Sequence, residues 1–289
     1  GESYLSVAGG PASVELVAGP ELVERIGGPN RYATAAAASA DAFEPGVDVV
    51  YVATGADFAD ALTGSALAGA QGAPVLLVKP EAVPGVTAAE LERLDPAAVV
   101  VLGGSAAVSD AVLTQVGELA SAPATRLSGG DRYETAAVIA GEFPVGDHVF
   151  VATGAQYADA LAASAAAGAD GVPVLLVTQE GVPSSTVTAL EAIGPDSITV
   201  LGGTGAVSDE VLTALGDHAD EVTRVSGQDR YATAAALAEL RGESDGAVLA
   251  TGQDYPDALT GAAYAAIGDV PVLLVKPEIV PSATRAELH

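Results

Sequence analysis

Thr54-Gly55-Ala56-Asp57-Phe58-Ala59-Asp60-Ala61-Leu62 returns as Thr153-Gly154-Ala155-Gln156-Tyr157-Ala158-Asp159-Ala160-Leu161, and again as Thr251-Gly252-Gln253-Asp254-Tyr255-Pro256-Asp257-Ala258-Leu259. The spacing is near one hundred residues, too long for a solenoid turn and suited to a small domain, so one fold is built three times. Around the middle copy, short Val/Leu runs alternate with longer Ala-rich segments. This pattern predicts strands at 148–152, 173–177, 197–201 and 223–226, and helices at 159–169, 186–193, 208–217 and 230–240. Continuous apolar strands separated by helices specify a parallel sheet covered on both faces. Each copy is therefore expected to be a small α/β unit of about four strands joined by right-handed crossovers.

The copies are out of phase with the chain. The expected units are 24–124, 125–222 and 223–289, and the third stops before its last strand and helix. The missing piece lies at the other end. Leu5-Ser6-Val7-Ala8-Gly9-Gly10 corresponds to the strand and turn before Gly103-Gly104 and before Gly202-Gly203. Residues 1–23 are thus expected to complete the third unit and close a ring, because an unpaired central strand leaves its backbone donors and acceptors exposed. The interval from Gly9 to Arg25 is shorter than that from Gly103 to Arg126, by about two helical turns.

Composition narrows the function. The chain has 289 residues, 49% of them hydrophobic, with a formal charge of −27 and no cysteine. Such a charge cannot neutralise a phosphate backbone, which excludes nucleic acid as a partner. No strongly apolar run of about 18 residues is present, so no membrane span is expected. Without cysteine there is no disulfide, thiolate nucleophile or cysteine metal site. The start at Gly1 and the absence of Met suggest a processed product or an excised piece. The acidity reads first as a device that keeps the protein dispersed.

The scarce cations are not scattered. Arg25 and Arg31, Arg126 and Arg132, and Arg224 and Arg230 form three pairs of equal spacing. Lys79 and Lys276 share a slot after Pro-Val-Leu-Leu-Val, where the middle copy has Thr178. Each second arginine opens Arg-Tyr-x-Thr, giving Tyr32, Tyr133 and Tyr231 after Asn30, Asp131 and Asp229. The structural expectation is that Asn or Asp caps a helix beginning at the arginine, which then pairs with a carboxylate of the neighbouring unit while the tyrosine packs at the seam. The competing expectation is direct ligand contact. Asp60, Asp159 and Asp257 open a helix after a strand, at the sheet edge where α/β folds bind ligands. They occupy the place an anion would take, so each is expected to cap its helix. The Gly-Gly turns lack dinucleotide or P-loop spacing. His148, His218 and His289 fall in unrelated slots, and no nucleophile recurs, so neither metal, cofactor nor catalysis is expected.

The strings Arg-x-x-Gly-x-Asp-Arg-Tyr-x-Thr-Ala (126–136 and 224–234, with Asn30 for Asp in the first copy), Thr-Gly-x-x-Phe/Tyr-x-Asp-Ala-Leu, Pro-Val-Leu-Leu-Val and Leu-Gly-Gly resemble the cell wall binding repeat 2 family, over nearly the whole chain. That resemblance implies a Toprim-like α/β fold in each of three tandem parallel-sheet units, set in a pseudo-threefold ring. It implies a secreted surface-layer or cell wall protein that binds an anionic wall polysaccharide without covalent attachment. The candidate ligand residues are Arg25, Arg31, Tyr32, Asp60, Lys79, Arg126, Arg132, Tyr133, Asp159, Arg224, Arg230, Tyr231, Asp257 and Lys276. The anchoring stretch linked to the family falls on Val75, Leu76, Leu77, Val174, Leu175, Leu176, Val272, Leu273 and Leu274. Read from periodicity alone, those nine are buried strand. A charge of −27 would repel an anionic polymer unless cations bridge or the recurring Arg and Lys form a local positive groove. The alternative is a structural or adhesive surface protein whose repeats associate with one another or with protein partners.

Overall fold

The computed structural model describes residues 5–8, 23–157 and 159–288. In chain order the first elements are β1 (Leu5–Ala8), β2 (Val23–Ile26), α1 (Arg31–Ala42), β3 (Val49–Thr54), α2 (Ala59–Ala70), β4 (Val75–Val78), α3 (Gly85–Leu94), β5 (Ala98–Leu102) and α4 (Asp110–Ala120). Then come β6 (Ala124–Leu127), α5 (Arg132–Ala140), β7 (His148–Thr153), α6 (Ala160–Asp170), β8 (Val174–Val177), α7 (Ser184–Ile193), β9 (Ser197–Leu201) and α8 (Asp209–Leu215). The last are β10 (Glu221–Val225), α9 (Arg230–Arg241), β11 (Ala247–Thr251), α10 (Pro256–Ile267), β12 (Val272–Val275) and α11 (Ser282–Glu287).

Three four-stranded sheets result, in the orders β4-β3-β5-β6, β8-β7-β9-β10 and β12-β11-β1-β2. Every pairing is parallel. In the third sheet β1 lies between β11 and β2, with Leu5 in register with both Ala247 and Val23. The two ends of the chain therefore share one sheet. The remainder of the expected closure, on residues 1–4 and 9–22, lies outside the described residues. The starts expected at 24, 125 and 223 fall inside β2, β6 and β10, each of which hydrogen-bonds to the preceding sheet.

Side chains alternate across each sheet. Val50, Val52, Leu76 and Val78 point into an outer core with Leu91, Val99 and Val112. Tyr51, Ala53, Val75 and Leu77 point the other way, into a central core shared by all three units. That central core is built on α2, α6 and α10, which pack against one another. Their sequences are Ala- and Gly-rich and buried nearly all round, which is what a helix enclosed on every side requires. A Cβ on Gly69 would stand 2.5 Å from Ala266 Cβ, and one on Gly168 2.9 Å from the same atom. Ser164 Oγ donates across the interface to the Leu62 carbonyl at 2.9 Å. The Val-Leu-Leu stretches of β4, β8 and β12 are all at most 4% exposed. Their third residues accept repeated hydrogen bonds from buried threonines: Thr87 to Leu77, Thr186 to Leu176 and Thr284 to Leu274, at 2.7–2.8 Å.

Candidate functional site at the three seams

At the C-terminal edge of each sheet, the Thr-Gly turn leaves the second strand and the Arg-Tyr helix starts beside it. Thr54, Thr153 and Thr251 each accept from the amide two residues on, at 3.2 Å. The glycine that follows admits a tyrosine ring: a Cβ on Gly55, Gly154 or Gly252 would lie 2.9, 2.7 or 2.6 Å from Cε1 of Tyr32, Tyr133 or Tyr231. Asn30, Asp131 and Asp229 cap α1, α5 and α9 by accepting from two backbone amides each, as expected. Thr34, Thr135 and Thr233 accept from the amides of Gly28, Gly129 and Gly227, closing the loop before the helix.

From this frame each arginine reaches two units. Its Nη1 donates to the glycine carbonyl of its own Thr-Gly turn: Arg31 to Gly55, Arg132 to Gly154 at 2.6 Å and Arg230 to Gly252 at 2.6 Å. The guanidinium also lies over an aromatic ring of the preceding unit in the cycle. Arg31 stacks on Tyr255 at 5.5 Å, Arg132 on Phe58 at 5.4 Å and Arg230 on Tyr157 at 5.4 Å. Those three rings meet one another, with centroids 5.5–6.0 Å apart. They plug the pseudo-threefold axis above the central helices.

The seams are alike but not identical. Arg31 pairs with Asp254 at 3.2 Å and Arg132 with Asp57 at 3.2 Å. The position matching these aspartates at the remaining seam is Gln156; Arg230 donates to the Tyr157 hydroxyl at 3.2 Å, as Arg31 also does to the Tyr255 hydroxyl at 3.3 Å. The expected pairing with a neighbouring carboxylate is thus present at two seams and, among the described residues, absent at the third. Tyr157 in turn donates to the Gln253 carbonyl at 2.9 Å.

Asp60, Asp159 and Asp257 do not make the expected side-chain cap. Each lies instead beside a threonine hydroxyl of the next unit, Thr135 for Asp60, Thr233 for Asp159 and Thr34 for Asp257, which favours the charged carboxylate. The Asp60 and Asp159 carboxylates rest on the Gly-Gly turns, where a Cβ on Gly103 would collide with Asp60 and one on Gly202 would lie 2.8 Å from Asp159 Oδ2. Both glycines have positive φ, which doubly restricts the position. Burial pushes Asp60 up to about 6, reinforced by Asp57 and opposed by Arg132 and Thr135. Burial raises Asp159 and Asp257 in the same direction.

A carboxyl that holds its proton more tightly when folded contributes stability below its unfolded pKa, near 4, and loses it as pH rises through the folded value. The melting temperature is therefore expected to rise by a few degrees as pH falls from about 7 to about 5. Asp60→Asn should flatten that slope, as scanning calorimetry at several pH values will show. A wild-type melting point that falls steadily over this interval would contradict the assignment.

The first arginine of each pair plays a different part. Arg126 donates to the Gly103 and Val108 carbonyls at 2.6 and 2.8 Å and pairs with Asp110 at 3.0 Å. Arg224 repeats this with Gly202, Ser208 and Asp209. Both fasten the Gly-Gly turn to the next helix within one unit. Arg25 holds the same slot on β2 and is exposed. Lys79 is exposed after β4, whereas the Lys276 ammonium lies 5.3 Å over the Tyr231 ring. The Val-Leu-Leu residues are core, not surface.

Asp57, Phe58, Tyr157, Asp254 and Tyr255 are seam residues that sequence reasoning did not single out. The available signal was an aromatic at one fixed position of the repeat, in a chain only 4% aromatic. Among the described residues no group of three or more His, Asp or Glu is placed to hold a metal. A surface depression of about 460 Å³ between α4 and β6 is lined by residues such as Leu113 and Glu118 and lies away from the seams.

A family model, Cell wall binding domain 2 (CWB2), matches residues 25–113, 126–212 and 224–288. The chain is 31% identical to N-acetylmuramoyl-L-alanine amidase LytC of Bacillus subtilis (strain 168), over 89% of its own length and 51% of that protein's. It is 29% identical to the amidase enhancer of the same organism, over 89% of its length and 35% of that protein's. It thus spans about half or less of these relatives. Among solved structures, Cwp6 from Clostridium difficile superposes with a TM-score of 0.87 at 26% identity, covering 99% of this chain and 44% of that one. Cwp8 from Clostridium difficile gives 0.82 at 27% identity, covering 90% and 45%.

Proposed function

The chain belongs to the cell wall binding domain 2 family, and from that premise we propose that it anchors protein to the cell wall by holding a wall polysaccharide, without catalysis of its own. It is a cell wall binding module. The finer reading is a polymer with anionic groups, held on the face where the three seams converge, on a protein exported to the cell surface. The observation carrying it is the threefold recurrence of Arg, Tyr and Thr-Gly at one edge of the sheets, in a chain otherwise short of cations. The amidase activity in the name of one relative is that protein's, and the shared region is about half of it. No helix among the described residues is long and apolar enough to cross a membrane.

Co-sedimentation with purified cell walls, over a range of salt and with or without a divalent cation, tests the proposal. Retention that weakens as salt rises is expected, because screening acts on exposed charge. No retention under any of these conditions would overturn it. A second reading, in which the repeats serve protein association, is favoured by one observation: Arg132 is spent on Asp57, Phe58 and Gly154 within the seam. Under that reading Arg132→Ala lowers the melting temperature and leaves wall retention unchanged.

A further inference from the structure

The three seams differ in one property that bears on ligand binding, the fate of the arginine's charge. At two of them the outer nitrogen, Nη2, is occupied by a carboxylate across the seam: Asp254 for Arg31 and Asp57 for Arg132. At the seam between the second and third units Gln156 carries no charge, and Nη1 makes both of Arg230's hydrogen bonds, to Gly252 and Tyr157. Among the described residues, Nη2 of Arg230 therefore has no acceptor.

A second cation converges on the same place. The Gly252 amide donates to Val275, which sets Lys276 directly after that contact. The Tyr231 ring packs on Gly252, and the Lys276 ammonium lies over that ring. Arg230 holds the Gly252 carbonyl. Two cations thus flank one glycine. The middle copy has Thr178 in the lysine's slot, while the first has Lys79 but also the Arg31–Asp254 pair.

Three carboxylates border the site. Asp229 has its Oδ1 taken by the amides of Tyr231 and Ala232. Asp159 rests on the Gly202 turn, its pKa raised by burial and lowered by Thr233 and by the charge of Arg230. Glu278 is exposed on the turn beyond Lys276. None of them forms an ion pair with Arg230.

Building on the wall-binding reading, we propose that the seam between the second and third units, with Arg230 and Lys276, is the one that takes an oxyanion of the ligand. Asp57 and Asp254 close the other two seams to it by neutralising their arginines in place. A guanidinium nitrogen with an open donor suits a phosphodiester or a uronate carboxylate, and the aromatic surface beneath it limits competing water. The repeat thus supplies three copies of the scaffold, and a single Asp-to-Gln difference makes one of them a receptor.

Calorimetric titration with two probes, an oligo(glycerol phosphate) and an oligogalacturonate, tests this and separates phosphate from carboxylate. One site per chain is expected for whichever probe binds. Gln156→Asp should weaken it by about tenfold or more, while the melting temperature holds or rises because a seam ion pair is gained. Asp254→Asn should add a second site at Arg31. Binding of neither probe, three equal sites in the wild type, or a Gln156→Asp variant that binds as tightly as wild type would each overturn the proposal. Wall co-sedimentation distinguishes the two levels. Walls that retain Gln156→Asp as well as wild type sink the single-seam inference and leave the wall-binding reading intact. Probe binding without wall retention does the reverse.

Discussion

Gly168→Val is expected to cost roughly 3–5 kcal/mol and to disrupt all three units together. Gly168 sits where the three central helices meet. A Cβ there would be 2.9 Å from Ala266 Cβ, 3.1 Å from the Ala66 carbonyl oxygen and 3.3 Å from Gly69 Cα. Two of those neighbours are backbone of α2, which cannot rotate out of the way as a flexible side chain would. Relief requires the helices to separate, and the central core they form is continuous across the molecule. Guanidinium titration should show a lower midpoint, with calorimetry revealing a broadened or divided transition as the units uncouple. Gly85→Ala is the control, since nothing lies within 4 Å of the added methyl. It should move stability by no more than about 0.5 kcal/mol. A Gly168→Val protein that melts like wild type would mean the helices do not meet as described.

Leu175→Ala is expected to destabilise by about 2–5 kcal/mol, through lost burial and the cavity left behind. Leu175 is 0% exposed in the outer core of the second sheet, among Val149, Val151, Leu190 and Val200. This residue also lies in the stretch to which the family resemblance attaches anchoring. Burial separates the two roles by experiment. Below its melting temperature the variant should still be retained by cell walls, and binding should disappear only as the protein unfolds. A folded Leu175→Ala variant that has lost wall retention would place the stretch in contact with polymer after all.

Most of the architecture could be read from the residues. In the middle copy the third sheet strand occupies Ser197–Leu201, as its apolar run predicted, and α9 begins at Arg230, as its Asp229 cap predicted. These elements rest on local chemistry: an apolar run bounded by turns, or a carboxylate three residues before a helical amide. The candidate site was less open to such reading. Asp60 has every local mark of a helix cap, yet its carboxyl rests on the Gly103 turn, near Thr135 of the next unit. A neighbour brought in by tertiary packing outcompeted the nearby amides. Asp57 and Arg132 are 75 residues apart and Arg31 and Tyr255 are 224 apart, separations over which no local pattern reports who meets whom.

The sequence by itself determined the repeat, the parallel α/β unit, the caps of the Arg-Tyr helices and the burial of the Val-Leu-Leu strands. Each follows from spacing within a few residues, where backbone geometry leaves few choices. Only the tertiary structure decided that the arginines of the Arg-Tyr helices lie on aromatic rings of the preceding unit, that two are matched by aspartates, and that Arg230 is not. Those outcomes depend on how three helices close around an axis, which brings together atoms the chain holds far apart.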